Sequence, residues 1–279
     1  MPITHTLSTQ AAPQSGGSAR AGRSHLEITL AVWKALFLRE ALGRLFSARA
    51  SWFWLLVEPV FNVAYMLVIF SVIRVMHVGG IATLVWLMVG MLAFFMFKRT
   101  GTQVQNAISA NQTLFTYRQV KPVDTLLVRA GLEGLLMVIV ASVLLVGAAL
   151  FGYSVVPADP LAVLEAFFGL WLVGLGFGLV TSVLTELVPE LGRVLKLVMM
   201  PLMILSGVII PLSSVPQPYR DWLLLNPVAH GVEAARLGFA PYYHAVAELS
   251  VAYIYQFALV SIFLGMALHR RFAMRLVTK

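Results

Sequence analysis

The chain has 279 residues, of which 59% are hydrophobic and only 11% charged, with a net charge of +8 and no cysteine. A soluble domain carries about 25% charged residues, so the composition excludes an ordinary water-soluble protein and makes lipid the main solvent. The missing cysteines exclude a disulfide frame and thiolate metal chemistry, and the basic residues lie between apolar runs instead of forming one patch for nucleic acid.

Residues 1–24 are rich in Ser, Ala, Gly, Thr and Pro and lack an apolar signal-peptide core, so they read as a disordered cytoplasmic tail. Residues 25–279 read as one membrane domain. Within 26–46, Leu26, Leu30, Trp33 and Phe37 share one helical face, while Ala35, Leu38, Leu42 and Phe46 lie roughly opposite. Glu27, Lys34 and Arg39 fall between these stripes. That pattern suits a helix lying at the interface, with lipid on one side and protein on the other.

A bilayer core about 30 Å thick needs about 20 apolar residues to cross it. Six runs qualify: 52–75, 82–105, 125–151, 161–187, 194–212 and 246–268. With both termini inside, 17 of the Lys and Arg residues fall on the cytoplasmic side and only Arg74, Arg220 and Arg236 outside. The positive-inside rule selects that orientation. The expected fold class is an all-α membrane protein with six transmembrane helices.

Between the second and third runs sits a polar island, residues 106–129, reading NAISANQTLFTYRQVKPVDTLLVR. On this topology it is a cytoplasmic element under the membrane domain. Asn111, Gln112, Leu114, Phe115, Tyr117, Arg118 and Lys121 form its apolar and basic centre. Residues 211–241 are punctuated by Pro211, Pro216, Pro218, Pro227 and Pro241. Stretches 219–225 and 228–239 can each be helical, but 12 residues reach only about 18 Å. They are expected to be re-entrant helices at the outer leaflet, with Trp222, Asn226, His230, Glu233 and Arg236 as an outer gate. Such backbone is tolerated at membrane depth only where protein or a water-filled cavity satisfies it.

No catalytic constellation stands out. There is no G-x-x-x-x-G-K-[ST] loop, and the six His show no metal-ligand spacing, so no metal site is expected. Gly174 and Gly178 in the fourth run are read as a close helix-packing seam. Charges inside spans cost about 2.5–3.5 kcal/mol each at a helix centre, so they carry information. Glu58, Lys98 and Arg99 fall at one depth near the cytoplasmic side. Arg129 and Glu133 lie one turn apart and can pair. These charges either pair internally or line a polar conduit. Tyr65, Trp86 and Phe94 are candidates for a pathway stacking on sugar rings, with an interfacial aromatic belt as the competing reading.

The stretch 109–124 (SANQTLFTYRQVKPVD) resembles the cytoplasmic coupling helix of permease subunits of group 2 capsular polysaccharide exporters, which are ABC transporters of the ABC-2 type. Further matching blocks occur in family order: FLRE at 37–40, WLLVEP at 54–59, Pro189 and Glu190 followed by Val194 and Leu195, NPVAH at 226–230, then Val232 and Glu233. The resemblance implies a homodimer bound to two copies of a separate ATPase subunit, which would hold ATP and Mg while this chain binds no cofactor. It implies an acidic, lipid-linked polysaccharide with a poly-Kdo linker as substrate. A periplasmic adaptor and an outer-membrane export protein would be partners, in a bacterial inner membrane. It makes 109–121 the main coupling helix and 190–196, with Glu190 and Arg193, a second ATPase contact. An exporter of O-antigen, teichoic-type polymer or small drugs is the nearest alternative. A secondary transporter would need inverted repeats, which the sequence does not display. A membrane enzyme would need clustered acids or His, and the 12 acidic residues are dispersed.

Overall fold

The computed structural model describes residues 25–46, 51–72, 77–116 and 120–277. The tail expected over 1–24 lies outside them. Eleven helices are described: α1 (His25–Phe46), α2 (Ser51–Val72), α3 (Thr83–Gln105), α4 (Ala107–Ala110), α5 (Pro122–Leu150), α6 (Pro160–Leu187), α7 (Glu190–Leu205), α8 (Tyr219–Leu223), α9 (Pro227–Phe239), α10 (Val251–Arg271) and α11 (Ala273–Val277). A two-residue hairpin, β1 (His77–Val78) with β2 (Ile81–Ala82), joins α2 to α3 through Gly79 and Gly80, both at positive φ. Two glycines satisfy such a turn without steric cost.

Helix starts follow local chemistry. Asp159 accepts from the Ala162 amide at 3.0 Å with Pro160 in the first helical turn of α6. Asn226 does the same for Val228 at 3.0 Å before Pro227 of α9. Ser250 accepts from the Tyr253 amide at the start of α10. Each arrangement satisfies an amide that the helix leaves orphaned, and proline at the first position loses nothing by lacking one.

Four helices, α3, α5, α6 and α10, are long and apolar enough to cross a membrane. They correspond to the runs expected at 82–105, 125–151, 161–187 and 246–268. The other two runs differ. Helix α2 has 22 apolar-rich residues but carries Glu58 and Pro59 in its first half. The run at 194–212 gives α7, whose 16 residues reach about 24 Å and contain Pro201. It stops at Ser206 and Gly207, the latter at φ +75°, although the sequence stays apolar to residue 212.

Helix α3 is the centre of the bundle and is buried on nearly every face. It meets α6 along a seam where a Cβ on Gly174 would stand 2.7 Å from the Phe97 carbonyl, and one on Gly178 2.9 Å from the Gly101 carbonyl. The glycine seam expected from sequence therefore packs α6 against α3. Helices α5 and α10 instead carry exposed apolar faces, including Val138, Val146, Val260 and Phe263, the surfaces that lipid would cover. Helix α1 turns Leu30, Leu38, Leu42 and Phe46 outward and buries Leu36, while Glu40 and Arg44 point to the bundle.

Candidate functional site

A groove of about 570 Å³ lies between α2, α3 and α7. Glu58, Asn62 and Tyr65 line it from α2, Phe94, Phe95, Lys98, Arg99 and Thr102 from α3, and Lys196 with Met199, Met200 and Met203 from α7. Five of the six residues expected in a pathway thus lie around it, Glu58, Tyr65, Phe94, Lys98 and Arg99, although Phe94 is itself fully buried. Lys98 sits over the Phe95 ring at 5.9 Å. Among the described residues neither Lys98 nor Lys196 has a carboxylate within ion-pair distance. Two uncompensated ammonium groups beside aromatic and thioether side chains make a surface for an anion with apolar faces.

Trp86 does not join this groove. It lies about 20 Å along α3 from Arg99, fully buried, with its ring 3.7 Å from the Arg236 guanidinium. Its aromatic size fills the core of the α9 end and is not available to a pathway.

Behind the groove runs a charge network that joins α1 to the bundle. Arg99 donates to Glu133 at 3.4 Å and lies 3.7 Å from Glu58. Arg44 pairs with Glu133, with Glu40 at 3.3 Å, and donates to Gln103 at 2.9 Å. Arg129 pairs with Glu40 at 2.5 Å. The expected Arg129–Glu133 pair is therefore replaced: each group reaches a partner on another helix. An arginine placed before its glutamate on a helix is the weaker order, and the interhelical partners offer better charge placement. Burial lowers the Arg44 guanidinium from its usual value, as does neighbouring Arg129, while Glu40 opposes both.

The island between α3 and α5 is not one continuous helix. It forms α4, a turn at Asn111 and a 3-10 helix, Gln112–Thr116. Asn111 is buried, accepts from Arg39 of α1 and donates to the Ala107 carbonyl at 2.9 Å. Phe115 is buried against Leu126, Ala130 and Leu276, so it anchors the island to its own fold and is not free to plug a partner's cleft. Leu114 is half-buried, whereas Gln112 and Lys121 are exposed. Glu190 and Arg193, at the start of α7, are exposed too. Tyr117 and Arg118 lie outside the described residues. Trp33 of α1 donates to Asp124 at 2.9 Å, and Asp124 accepts from the Lys121 amide, fixing the entry to α5.

The expected gate residues divide into surface and core. Trp222 is exposed, as is Leu225, whereas Leu224 is buried between them in the chain. Asn226 donates to Ser206 at 2.8 Å as well as capping α9. His230 is buried. Its Nδ1 accepts from the Ser250 amide, which places the proton on Nε2 for donation to the Leu224 carbonyl at 2.8 Å. Glu233 and Arg236 are fully buried, paired at 3.1 Å, and do not stand at an aqueous exit. Arg236 also donates to the carbonyls of Gly207, Val208 and Trp86, and Tyr243 donates to Glu233 at 3.0 Å. Burial raises the Glu233 carboxyl above its usual range, with Arg236 and Tyr243 opposing.

The family model for ABC-2 type transporters matches residues 31–240. The chain belongs to the ABC-2 type transporter family. This ABC-2 chain is 35% identical over 249 residues to the polysialic acid transport protein KpsM of Escherichia coli, covering 89% of this chain and 96% of that one. It is 28% identical over 239 residues to the capsule polysaccharide export inner-membrane protein CtrC of Neisseria meningitidis, covering 86% and 90%. Against the capsule polysaccharide export inner-membrane protein BexB of Haemophilus influenzae it is 24% identical over 217 residues, covering 78% and 82%.

Three parts of the ABC-2 site escaped sequence reasoning. Glu40 and Arg44 are the α1 half of the network. Their signal was available, since adjacent charges on an otherwise apolar helix require opposite charges on whatever it packs against. Lys196 was read only as the end of the 190–196 ATPase contact, and its place in the groove had no signal of its own. Tyr243 sits in a loop after α9 and had no pattern to mark it.

Proposed function

We propose that this chain is the membrane-spanning subunit of an ATP-driven exporter moving a lipid-linked acidic capsular polysaccharide across a bacterial inner membrane. The observation that carries the reading is the groove. An ABC-2 chain whose relatives are named for capsule and polysialic acid export has, between α2, α3 and α7, two lysines without carboxylate partners among the described residues, beside Tyr65 and Phe95. An acidic glycan needs both features: cations for its carboxylates and flat apolar faces for its sugar C–H surfaces.

On this reading both termini are cytoplasmic and residues 25–279 form the transmembrane domain. Helices α2 and α7 join the four long helices as spans five and six when lined by protein in the assembled exporter. Helix α1 lies at the inner interface, and α8 with α9 forms a re-entrant pair at the outer leaflet. Two copies of the chain pair, and two copies of an ATPase subunit, holding ATP and Mg, dock on the exposed parts of the island and on Glu190 and Arg193. Asn111, through Arg39 of α1 and onward through Arg44, Glu133 and Arg99 to Glu58, connects that docking site to the groove. A periplasmic adaptor and an outer-membrane exit protein continue the route, and the polymer enters by its lipid and poly-Kdo end.

Deletion of the gene in a capsulated host, complemented by the wild-type chain or by Lys98→Gln with Lys196→Gln, tests the reading. Export of acidic polymer should return with the wild type and stay low with the double variant, while the ATPase still copurifies with both. Full export by the double variant would remove the groove from the mechanism.

A further inference from the structure

A second cavity, of about 540 Å³, lies between the start of α5 and the end of α10. Phe263, Met266 and Ala267 form an apolar wall, and Phe263 is 77% exposed to the bundle's exterior. Lys121 and Arg270 also line the cavity, and among the described residues no carboxylate does. Asp124, close by in sequence, is occupied by Trp33 and by the Lys121 amide. His269 also lines the cavity and is only 3% exposed. Its Nε2 lies 3.0 Å from the Ser182 hydroxyl, which holds the ring in the α6–α10 packing.

We propose that this cleft holds one anionic phospholipid of the cytoplasmic leaflet. The proposal rests on the orientation proposed above. The phosphate sits between Lys121 and Arg270, and an acyl chain runs along Phe263, Met266 and Ala267. Charge selects the headgroup, because Lys121 and Arg270 line the site and among the described residues no acid does. The apolar wall selects a lipid over a soluble phosphate, because it continues onto the exposed face of α10. A basic pocket between helices on the cytoplasmic side is a recognised form of anionic lipid site. The site is separate from the groove between α2, α3 and α7, and shares no lining residue with it.

Native mass spectrometry of the full chain, taken from nanodiscs of equal phosphatidylglycerol and phosphatidylethanolamine, tests the proposal. The wild type should retain phosphatidylglycerol preferentially. Arg270→Gln should reduce that preference about fivefold, with a similar further loss on adding Lys121→Gln. Ala267→Trp, which fills the acyl track and leaves both cations, should lower occupancy as well. Arg220→Gln, at the far end of the bundle, should change nothing. Should Arg270→Gln fail to fold, Ala267→Trp, with Arg270→Lys expected to keep the preference, decides the matter. Unchanged preference in Arg270→Gln, or in Ala267→Trp alone if Arg270→Gln does not fold, overturns the proposal. Displacement of the lipid by equimolar glycerophosphoglycerol would also overturn it, in favour of a soluble anion. Neither ATPase nor polysaccharide enters this measurement, so it can fail while the export reading stands.

Discussion

Both ends of the bundle bury arginine against glutamate, but in opposite styles. At the α9 end the pair is local and closed: Glu233 and Arg236 lie three residues apart, fully buried, with Trp86, Tyr243 and two carbonyls of the α7 terminus completing the shell. At the α4 end the network is open: three arginines and three glutamates from α1, α2, α3 and α5 share partners, and Glu58 is 69% exposed in the groove. A closed pair fixes geometry, since every alternative position leaves a charge without compensation. A shared network tolerates exchange of partners, which suits the coupling role proposed for this end. The cluster at the α9 end, expected from sequence to be part of a gate, is on this comparison a closed, buried part of the core.

The comparison is broken most strongly at Arg236. Arg236→Ala leaves Glu233 buried without its cation and should cost about 3–5 kcal/mol, enough to remove folded protein, as read by fluorescence-detected size exclusion. Gly90→Ala should damage the same shell, because a Cβ there stands 3.0 Å from the Arg236 guanidinium carbon. If Arg236→Ala folds and melts normally, the closed-pair account is wrong.

Glu133→Gln sharpens the other side. It removes the carboxylate shared by Arg44 and Arg99, which retain Glu40 and Glu58, so the loss should be smaller, about 1.5–3 kcal/mol. Thermal unfolding should show a modest shift, while export falls further than stability does. A loss as large as that at Arg236 would erase the distinction between the two ends.

Lys98→Gln and Lys196→Gln should alter stability by no more than about 0.5 kcal/mol, since neither lysine has an ion pair to lose among the described residues. Their effect should appear in transport of the acidic polymer. The smallest effect concerns the α8 segment, where cysteine at Gln217 should react with a membrane-impermeant thiol reagent and cysteine at Leu224 should react slowly. Gln217 is exposed and Leu224 is 9% exposed, and the chain has no native cysteine to confuse the readout. Equal rates would make this segment an ordinary loop.

Local chemistry was the legible part of the fold. Asn226 before Pro227 marked the break between the short helices α8 and α9, and Gly174 with Gly178 marked a seam that brings α6 onto the backbone of α3. The length of α7 was not legible, because apolarity continues past Ser206 and Gly207 although the helix does not. Hydrophobic patterning reports what lipid or core will accept, not where the backbone turns. In the groove, depth alone placed Glu58, Lys98 and Arg99 together, since charges counted from the same side of two adjacent runs must meet. Trp86 and Phe115 were misjudged for one reason. Aromatic rings serve packing and recognition alike, and only tertiary neighbours separate the two.

The central claim, that the polymer passes along the groove between α2, α3 and α7, is tested most directly by crosslinking in exporting cells. A photoreactive benzoylphenylalanine at position 65 faces the groove, and the same residue at position 150 lies on an apolar surface that is 83% exposed. Illumination should attach capsular polysaccharide at position 65 and not at position 150, and Lys98→Gln with Lys196→Gln should diminish the product. Equal capture at both positions, or none at position 65 while export continues, would contradict the account.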